Sequence, residues 1–318
     1  MKWRIVVASL LLLLVASTAN GQQFSVMEYN VENAFDTIHD EGKNDYEYLP
    51  DGERKWNKGR LFKKLRNIAK VIAAADEKRP VDLVALCEVE NDTVLTYLTK
   101  RTGLRNMGYE YIMTNSLDER GIDVALLYSP FTFHPIDTQR ITPQIKEHPT
   151  RDILHVAGTI YEGDTLDVYV VHLPSKLGGG EAKERSMKVT RMLRENIDSV
   201  ASSRQKPNII VMGDFNAEPH SSQLKLLTES EGGFPTLTDV TESLKPGTYK
   251  YKGDWSIIDH VLVHSSRLKT KVAESLTLPF LMKDDEAHGG KMLNRTYLGP
   301  IYKGGTSDHL PVVVHFEL

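Results

Sequence analysis

Apolar residues recur along this chain with two periods. Short runs of apolar, β-branched and aromatic residues bounded by Gly, Pro, Asn or Asp predict strands over 24–29, 81–86, 122–128, 131–136, 153–161, 166–171, 209–212, 257–263 and 312–316. The run 81–86 is apolar at almost every position, as expected of a strand covered on both faces. Glu162-Gly163-Asp164 marks a hairpin between two of these strands. Leu61, Leu65, Ile68, Ala69 and Ile72 follow helical spacing, with Pro80 expected to close the segment. A short helix is predicted over 91–102, with Val94, Leu95 and Leu98 on one side. A longer one is predicted over 181–201, with Met187, Met192, Leu193 and Ile197 near one face. Residues 36–58 are polar and read as a long surface loop, and the glycine pairs within 277–306 mark an elaborated loop before the last strand. No repeat or low-complexity linker divides the chain. Strands, hairpins and helices alternate throughout, which predicts one large α/β domain with much antiparallel pairing.

The first residues follow another pattern. Lys2 and Arg4 precede an apolar run over 5–16, and Ala19-Asn20-Gly21 offers a small-x-small exit. That is the layout of a secretory signal, and the run is short of the ~20 residues of a membrane span. The expected organisation is a signal peptide over 1–21 and a single domain over 22–318, exported to the periplasm or secreted, without a stable membrane anchor.

Composition narrows the chemistry. The 318 residues carry 39 Lys plus Arg against 43 Asp plus Glu, a formal charge of −4 that becomes −6 once Lys2 and Arg4 are removed. Such a chain does not coat nucleic acid by non-specific attraction. A single cysteine, Cys87, excludes an internal disulfide and a cysteine-based zinc site.

The informative polar residues stand where apolar runs stop. The runs lead to Asn30, to Cys87-Glu88, to His172, to Gly213-Asp214-Phe215-Asn216, to Asp259, and to Ser307-Asp308-His309 before the last strand. Each has a bland reading when taken alone. Asn30 suits a turn, Glu88 a solvated strand end and His172 a structural histidine. Gly178-Gly179-Gly180 reads as a flexible loop and the Lys63-Lys64-Leu65-Arg66 cluster as a solvated helix face.

Together, these residues supply what metal-assisted phosphate-ester cleavage requires. A phosphodiester repels an incoming oxygen nucleophile, and Mg²⁺ offsets that charge through hard oxygen ligands. Glu88 and Asp308 can supply such ligands, with the Asn30 amide near or in the shell. Asp214 is the candidate to take a proton from the attacking water. Asn216, two residues on, shares its face if the chain stays extended. His309, held protonated by Asp259, can bind a phosphate oxygen, and His172 can bind phosphate or protonate the leaving oxygen.

In order along the chain, Met27-Glu28-Tyr29-Asn30-Val31-Glu32-Asn33, Leu86-Cys87-Glu88-Val89, Val171-His172-Leu173-Pro174-Ser175, Gly213-Asp214-Phe215-Asn216, Ile258-Asp259-His260 and Ser307-Asp308-His309-Leu310-Pro311 resemble the motifs of the endonuclease/exonuclease/phosphatase superfamily, in its DNase I-like and exonuclease III-like branches. The resemblance spans Asn30 to the C-terminus. It implies a four-layer α/β sandwich, with two mixed β-sheets packed face to face and helices outside. It also implies Mg²⁺ or Mn²⁺ as cofactor. Carried over, it makes Glu88 the metal carboxylate, with Asn30 and Asp308 beside it. Asp214 matches the water-activating residue, Asn216 its phosphate-binding partner, Asp259 and His309 the Asp–His pair, and His172 the second histidine. Arg120 and Arg151 match phosphate-contacting arginines before β-runs. Where several members carry a second acid two residues after the first Asn, this chain has Glu32 rather than Asp.

The expected function is that of an exported metal-dependent phosphodiesterase acting on nucleic acid, DNA foremost and RNA second, as a monomer. The alternatives are a phosphatase or lipid phosphodiesterase of the same chemistry, and a binding module without activity. A membrane-acting version would expose an apolar wedge, for which residues 276–282 are the internal candidate, although a core-packed strand end is the commoner use of such a run.

Overall fold

Alternation of inward and outward side chains sorts the strands into two sheets with a shared interior. The computed structural model describes residues 22–145, 148–175, 179–229 and 235–318. The expected signal segment and Gly178 lie outside the described residues. In chain order the first half gives β1 (Gln23–Ala34), α1 (Lys58–Ala74), β2 (Leu83–Val89), α2 (Asp92–Arg101), β3 (Glu110–Met113), β4 (Asp123–Tyr128), β5 (His134–Ile141), β6 (Ile153–Thr159) and β7 (Thr165–His172). The second half gives α3 (Gly180–Ser203), β8 (Ile209–Asp214), α4 (Ser222–Thr228), β9 (Thr238–Asp239), β10 (Tyr249–Tyr251), β11 (Asp254–Ser256), β12 (Asp259–His264) and β13 (Lys269–Ser275). It closes with β14 (Met282–Asp284), β15 (Lys291–Leu293), β16 (Tyr297–Leu298), β17 (Ile301–Tyr302) and β18 (Val312–Glu317).

One six-stranded sheet has the order β13-β18-β1-β2-β4-β3, and the other has β5-β6-β7-β8-β12-β9. Each is mixed: β1–β2 and β7–β8 are parallel, while β1–β18 and β8–β12 are antiparallel. Phe24, Val26, Leu83, Ala85, Val124 and Leu126 of the first sheet meet Val168, Val170, Ile210, Met212 and Val261 of the second in one buried layer. The alternate residues face outward. Met27, Tyr29, Val84 and Leu86 pack under Leu61, Leu65 and Ile68 of α1 and Val94, Leu95 and Leu98 of α2. Tyr169, Val171 and Val211 pack under Leu193 and Ile197 of α3 and Leu224 and Leu227 of α4. Each buried Leu, Ile or Val contributes about 1.5–3 kcal/mol. The result is helix–sheet–sheet–helix, the four-layer α/β sandwich expected. Helix starts are fixed locally: the Asn57, Asn91 and Ser221 side chains accept the Arg60, Val94 and Leu224 amides as N-caps.

Several expectations need correction. Residues 36–58 are not merely a surface loop, because Tyr48 and Trp56 are buried in the first core. Trp56 Nε1 donates to the Phe35 carbonyl at 2.9 Å, and the Phe35 and Tyr48 rings stack with centroids 4.2 Å apart. Helix α1 stops at Ala74, well before Pro80, where the chain turns into the charged run Asp76-Glu77-Lys78-Arg79. Strand β5 begins at His134 rather than at Phe131, because the Thr132 and Phe133 amides both turn back onto the Ser129 carbonyl. Lys64 does not lie on a solvated face; it is 1% exposed. Residues 277–306 carry two small hairpins, β14–β15 and β16–β17. The run 276–282 packs inward through Leu276, Leu278 and Leu281, leaving Phe280 partly exposed. Among the described residues no helix is long and apolar enough to cross a membrane.

Candidate active site

The site is the polar end of the layer between the sheets. In β1 the phase that buries Phe24 and Val26 continues through Glu28 to Asn30. In β7 it runs from Val168 and Val170 to His172, and in β8 from Ile210 and Met212 to Asp214. In β12 it runs back from Val263 and Val261 to Asp259. Registry then sets these residues side by side: Asp214 pairs with His172 on one side and Asp259 on the other. Gly213 is required there, since its φ is +148° and a Cβ would fall 1.8 Å from the Val171 carbonyl oxygen.

Asp214 is the hub. Its Oδ2 accepts from Asn30 Nδ2 at 3.0 Å, and its Oδ1 accepts the Asn216 amide at 2.7 Å. His172 Nε2 lies 3.5 Å and His309 Nε2 4.0 Å from Asp214 Oδ2. His309 directs Nδ1 at both oxygens of Asp259, at 3.0 and 2.8 Å. Ser307 ties the segment before β18 to the end of β1, donating Oγ to the Asn30 carbonyl at 2.6 Å and accepting the His309 amide at 3.1 Å.

Burial sets the protonation of this group. It pushes the Asp214 carboxyl up to about 7, helped by the Asp259 charge and opposed by His309. For His309, burial works against the charge, but Asp259 and Asp214 outweigh it and hold the ring as imidazolium. His172 goes the other way. Burial, then the positive charges of Arg151, Arg120 and His309, drive its pKa well down, so it is a neutral ring and not a resident proton donor. Glu28 is completely buried, and among the described residues neither carboxyl oxygen has a hydrogen-bond partner. Burial, then Asp259 and Asp214, raise its pKa well above the carboxylate range, so it sits beneath the site as a neutral acid.

Glu88 reaches the site by a different device. Its φ is +65°, at an irregularity in the β2–β4 pairing between Cys87 and Val89, and its side chain lines the cavity instead of following the strand phase. Its Oε2 accepts the Asn33 amide at 2.9 Å and lies 3.8 Å from Arg120 Nη2. Asp308 pairs with Arg295 Nη2 at 2.7 Å. Arg120 is half-exposed, whereas Arg151 is buried between Asp118 at 3.1 Å and the Leu173 carbonyl at 2.9 Å.

Glu88, Arg120, Arg151, His172, Asp214, Asn216, Asp308 and His309 line one cavity of about 650 Å³. Asn30 and Asp259 stand directly behind it through their bonds to Asp214 and His309. The structure therefore brings all ten expected site residues together. It corrects one detail: Asn216 does not share a strand face with Asp214. The strand ends at Asp214, and Asn216 turns into the left-handed region at φ +48°, its side-chain Nδ2 donating to the Leu173 carbonyl at 3.0 Å.

Donor atoms of Asp214, Asp259 and His309 lie within 4.8 Å of one another, a spacing that can hold a metal ion. Both Asp259 oxygens are already committed to His309, so the better oxygen donors are those facing the cavity. Glu88, Asp214 and Asp308 line it, and their side-chain oxygens are hard donors of the kind that Mg²⁺ or Mn²⁺ takes.

Reading the sequence missed three features. Glu28 was signalled by a carboxylate in phase with an apolar strand face. The Lys64, Glu32 and Arg295 network brings together groups far apart in the chain, and no local pattern reveals it. The third is the β10–β11 hairpin, whose Tyr249, Tyr251 and Trp255 form an aromatic side of the cavity. Its signal was Tyr-Lys-Tyr alternation before the Gly253 turn.

Solved structures share this architecture. An endonuclease/exonuclease/phosphatase family protein from Bacteroides thetaiotaomicron aligns with a TM-score of 0.62 at 17% identity, over 93% of this chain and 98% of that one. A mannosyl-6-phosphatase from the same organism aligns at 0.60 and 17%, over 93% and 100%. The human nocturnin catalytic domain aligns at 0.58 and 19%, over 93% and 94%. No curated protein sequence matches the chain. The model of the Endonuclease/Exonuclease/phosphatase family matches residues 25–318, so the chain belongs to this family of divalent-metal-dependent phosphoester hydrolases.

Proposed function

We propose that this is an exported phosphodiesterase that hydrolyses nucleic acid, DNA foremost, by attack of water. The observation that carries the reading is Asp214, buried and ringed by Asn30, Asn216, His172 and His309, at the wall of a cavity that also holds Glu88, Asp308, Arg120 and Arg151. Export rests on the residue pattern of 1–21.

Glu88 and Asp308 would hold the metal ion, with the Asn30 oxygen beside them. The bound cation supplies charge neutralisation and polarisation of a phosphoryl oxygen. Asp214 takes the proton of the attacking water, and the Asn30 and Asn216 donors fix the direction of its two oxygens. His309, held as imidazolium by Asp259, offers Nε2–H to a phosphate oxygen. Neutral His172 braces Asp214 from the other side. Arg120, half-exposed, is placed to meet a second phosphate.

A second reading, a phosphatase for a small ring-bearing ester, draws support from the aromatic β10–β11 side of the cavity and from the likeness to a mannosyl-6-phosphatase. One panel separates the two: plasmid DNA, RNA, bis-p-nitrophenyl phosphate, sphingomyelin and a hexose 6-phosphate, each with and without chelator. Nicking of the plasmid that chelator stops and Asp214→Ala lacks is the expected outcome. Turnover of phosphomonoesters alone would replace the first reading by the second. Equal cleavage by Asp214→Ala and wild type would remove the assignment of the base.

A further inference from the structure

Asp308 is held by a cation of the chain itself. Arg295 places Nη2 2.7 Å from Asp308 Oδ2 and Nε 3.2 Å from Glu32 Oε1, so one guanidinium spans two carboxylates. The other Glu32 oxygen takes the Thr296 amide at 2.6 Å. Thr296 is anchored in turn, because Lys64 Nζ donates to its Oγ1 at 2.6 Å and to the Thr306 carbonyl at 2.9 Å. The backbone is bent to reach this arrangement: Glu32 and Asn33 stand at φ +53° and +54°, which turns β1 out of its strand phase immediately after Asn30.

The network is balanced. Two acidic side chains, Glu32 and Asp308, face two basic ones, Arg295 and the buried Lys64. A planar guanidinium presents donors in a fork that fits carboxylates and stays charged at any working pH. Two carboxylates in such a position would otherwise attract a divalent ion. With Arg295 between them their charge is already met, and one oxygen of Asp308 and both oxygens of Glu32 are already bonded.

We infer that Arg295 is a positioning residue that takes the place of a second metal ion between Glu32 and Asp308, so that the chain loads a single divalent ion on the Glu88 side. This rests on the proposed reading that Glu88 and Asp308 hold metal.

The test is the number of Mn²⁺ ions bound per chain, measured by titration calorimetry and by the paramagnetic resonance of free Mn²⁺, on the whole mature protein. Wild type is expected to bind one ion. Arg295→Met, which keeps bulk and removes charge, is expected to bind two, and Arg295→Lys to return to one. Arg295→Gln carries the same expectation of two where the methionine variant does not fold. Two ions on wild type, or one on a folded uncharged variant, would overturn the inference. Glu88→Gln separates the layers of the proposal. Its loss of the wild-type ion is expected, whereas unchanged Mn²⁺ binding in that variant would overturn the metal reading itself. A purely structural role for Arg295 changes stability but not stoichiometry.

Discussion

Asp259 is completely buried, and both of its oxygens accept from His309 Nδ1. Asp259→Asn keeps the shape and removes the charge. At an effective dielectric near 20, the His309–Asp259 attraction at 2.8 Å is about 6 kcal/mol, and repulsion between Asp259 and Asp214, whose donor atoms lie within 4.8 Å, is about 3.5 kcal/mol. Removing the charge thus relieves much of what it costs, and the net loss of stability is about 2–3 kcal/mol. Catalysis has no such compensation, because His309 loses the carboxylate that holds its ring charged and aimed. Losing one aimed, charged donor to the developing negative charge is worth about 10²–10³ in rate, or about 2.7–4 kcal/mol. The assay is the initial rate on bis-p-nitrophenyl phosphate and on plasmid at saturating Mg²⁺, beside urea unfolding of both proteins. A variant within tenfold of wild-type rate would refute the role of the pair. A stability loss above about 5 kcal/mol would refute the cancellation.

Three other outcomes follow from the same geometry. Gly213→Ala forces a Cβ to within 1.8 Å of the Val171 carbonyl oxygen at a φ of +148°, so the β7–β8 pairing must part. Low soluble yield, or a urea midpoint shifted by more than about 1–3 kcal/mol, is expected, and a wild-type midpoint would contradict it. The buried His260 ring gives Nδ1 to Asp239 and Nε2 to the Ala217 carbonyl, both at 2.8 Å, so both nitrogens carry protons. Burial opposes that charge, but Asp239 outweighs it and the pKa is raised above 6.5. The stability it contributes is fully present below pH 6.5 and is lost as pH rises through the folded value. His260→Gln should therefore cost about 3–5 kcal/mol at pH 6 and progressively less toward alkaline pH; a gap that stays constant in urea titrations would be inconsistent with it. Chelation should abolish hydrolysis and leave the melting transition in place, since buried apolar layers rather than ligands to an ion hold the sheets together. Mg²⁺ or Mn²⁺ should restore the rate, and persistent activity in excess chelator would remove the metal from the mechanism.

Most of the sandwich was legible because its strands are the apolar runs. The sites at their ends were legible because a polar residue in phase with a buried face has nowhere to go but the edge of that face. Asn30, His172, Asp214 and Asp259 all follow this rule. Glu28 follows it too, and was overlooked because it sits inside a strand rather than at its end. Edge strand β13 escaped because its residues are mostly exposed and polar, so the sheet imposes no alternation on it. Lys64 escaped for the opposite reason. A lysine on a helix is normally solvated, and only the Thr296 and Thr306 acceptors, brought in from more than two hundred residues away, make its burial tolerable. Asn216 was placed correctly in space by the wrong backbone, since a left-handed turn rather than an extended strand carries it to the cavity.

The acidic balance of the chain acquires a local meaning at the site. Taken one by one, the carboxylates near the cavity are mostly answered. Asp259 is paired with His309, Asp118 with Arg151, and Asp308 and Glu32 with Arg295. Glu28 is neutral by burial. What is left facing the cavity is Asp214, Glu88 at 3.8 Å from a half-exposed arginine, and the more peripheral Glu218 and Asp254. A phosphate entering the cavity without its cation would meet that residue of negative charge, and the surface of a chain at −4 supplies no long-range attraction to offset it. On the proposed reading, loading of the divalent ion is what turns the cavity from repelling phosphate to binding it. Substrate affinity should then depend on metal concentration at least as steeply as the chemical step does. An enzyme that bound its substrate by a basic surface would show the opposite: tight substrate binding without metal, weakened mainly by salt.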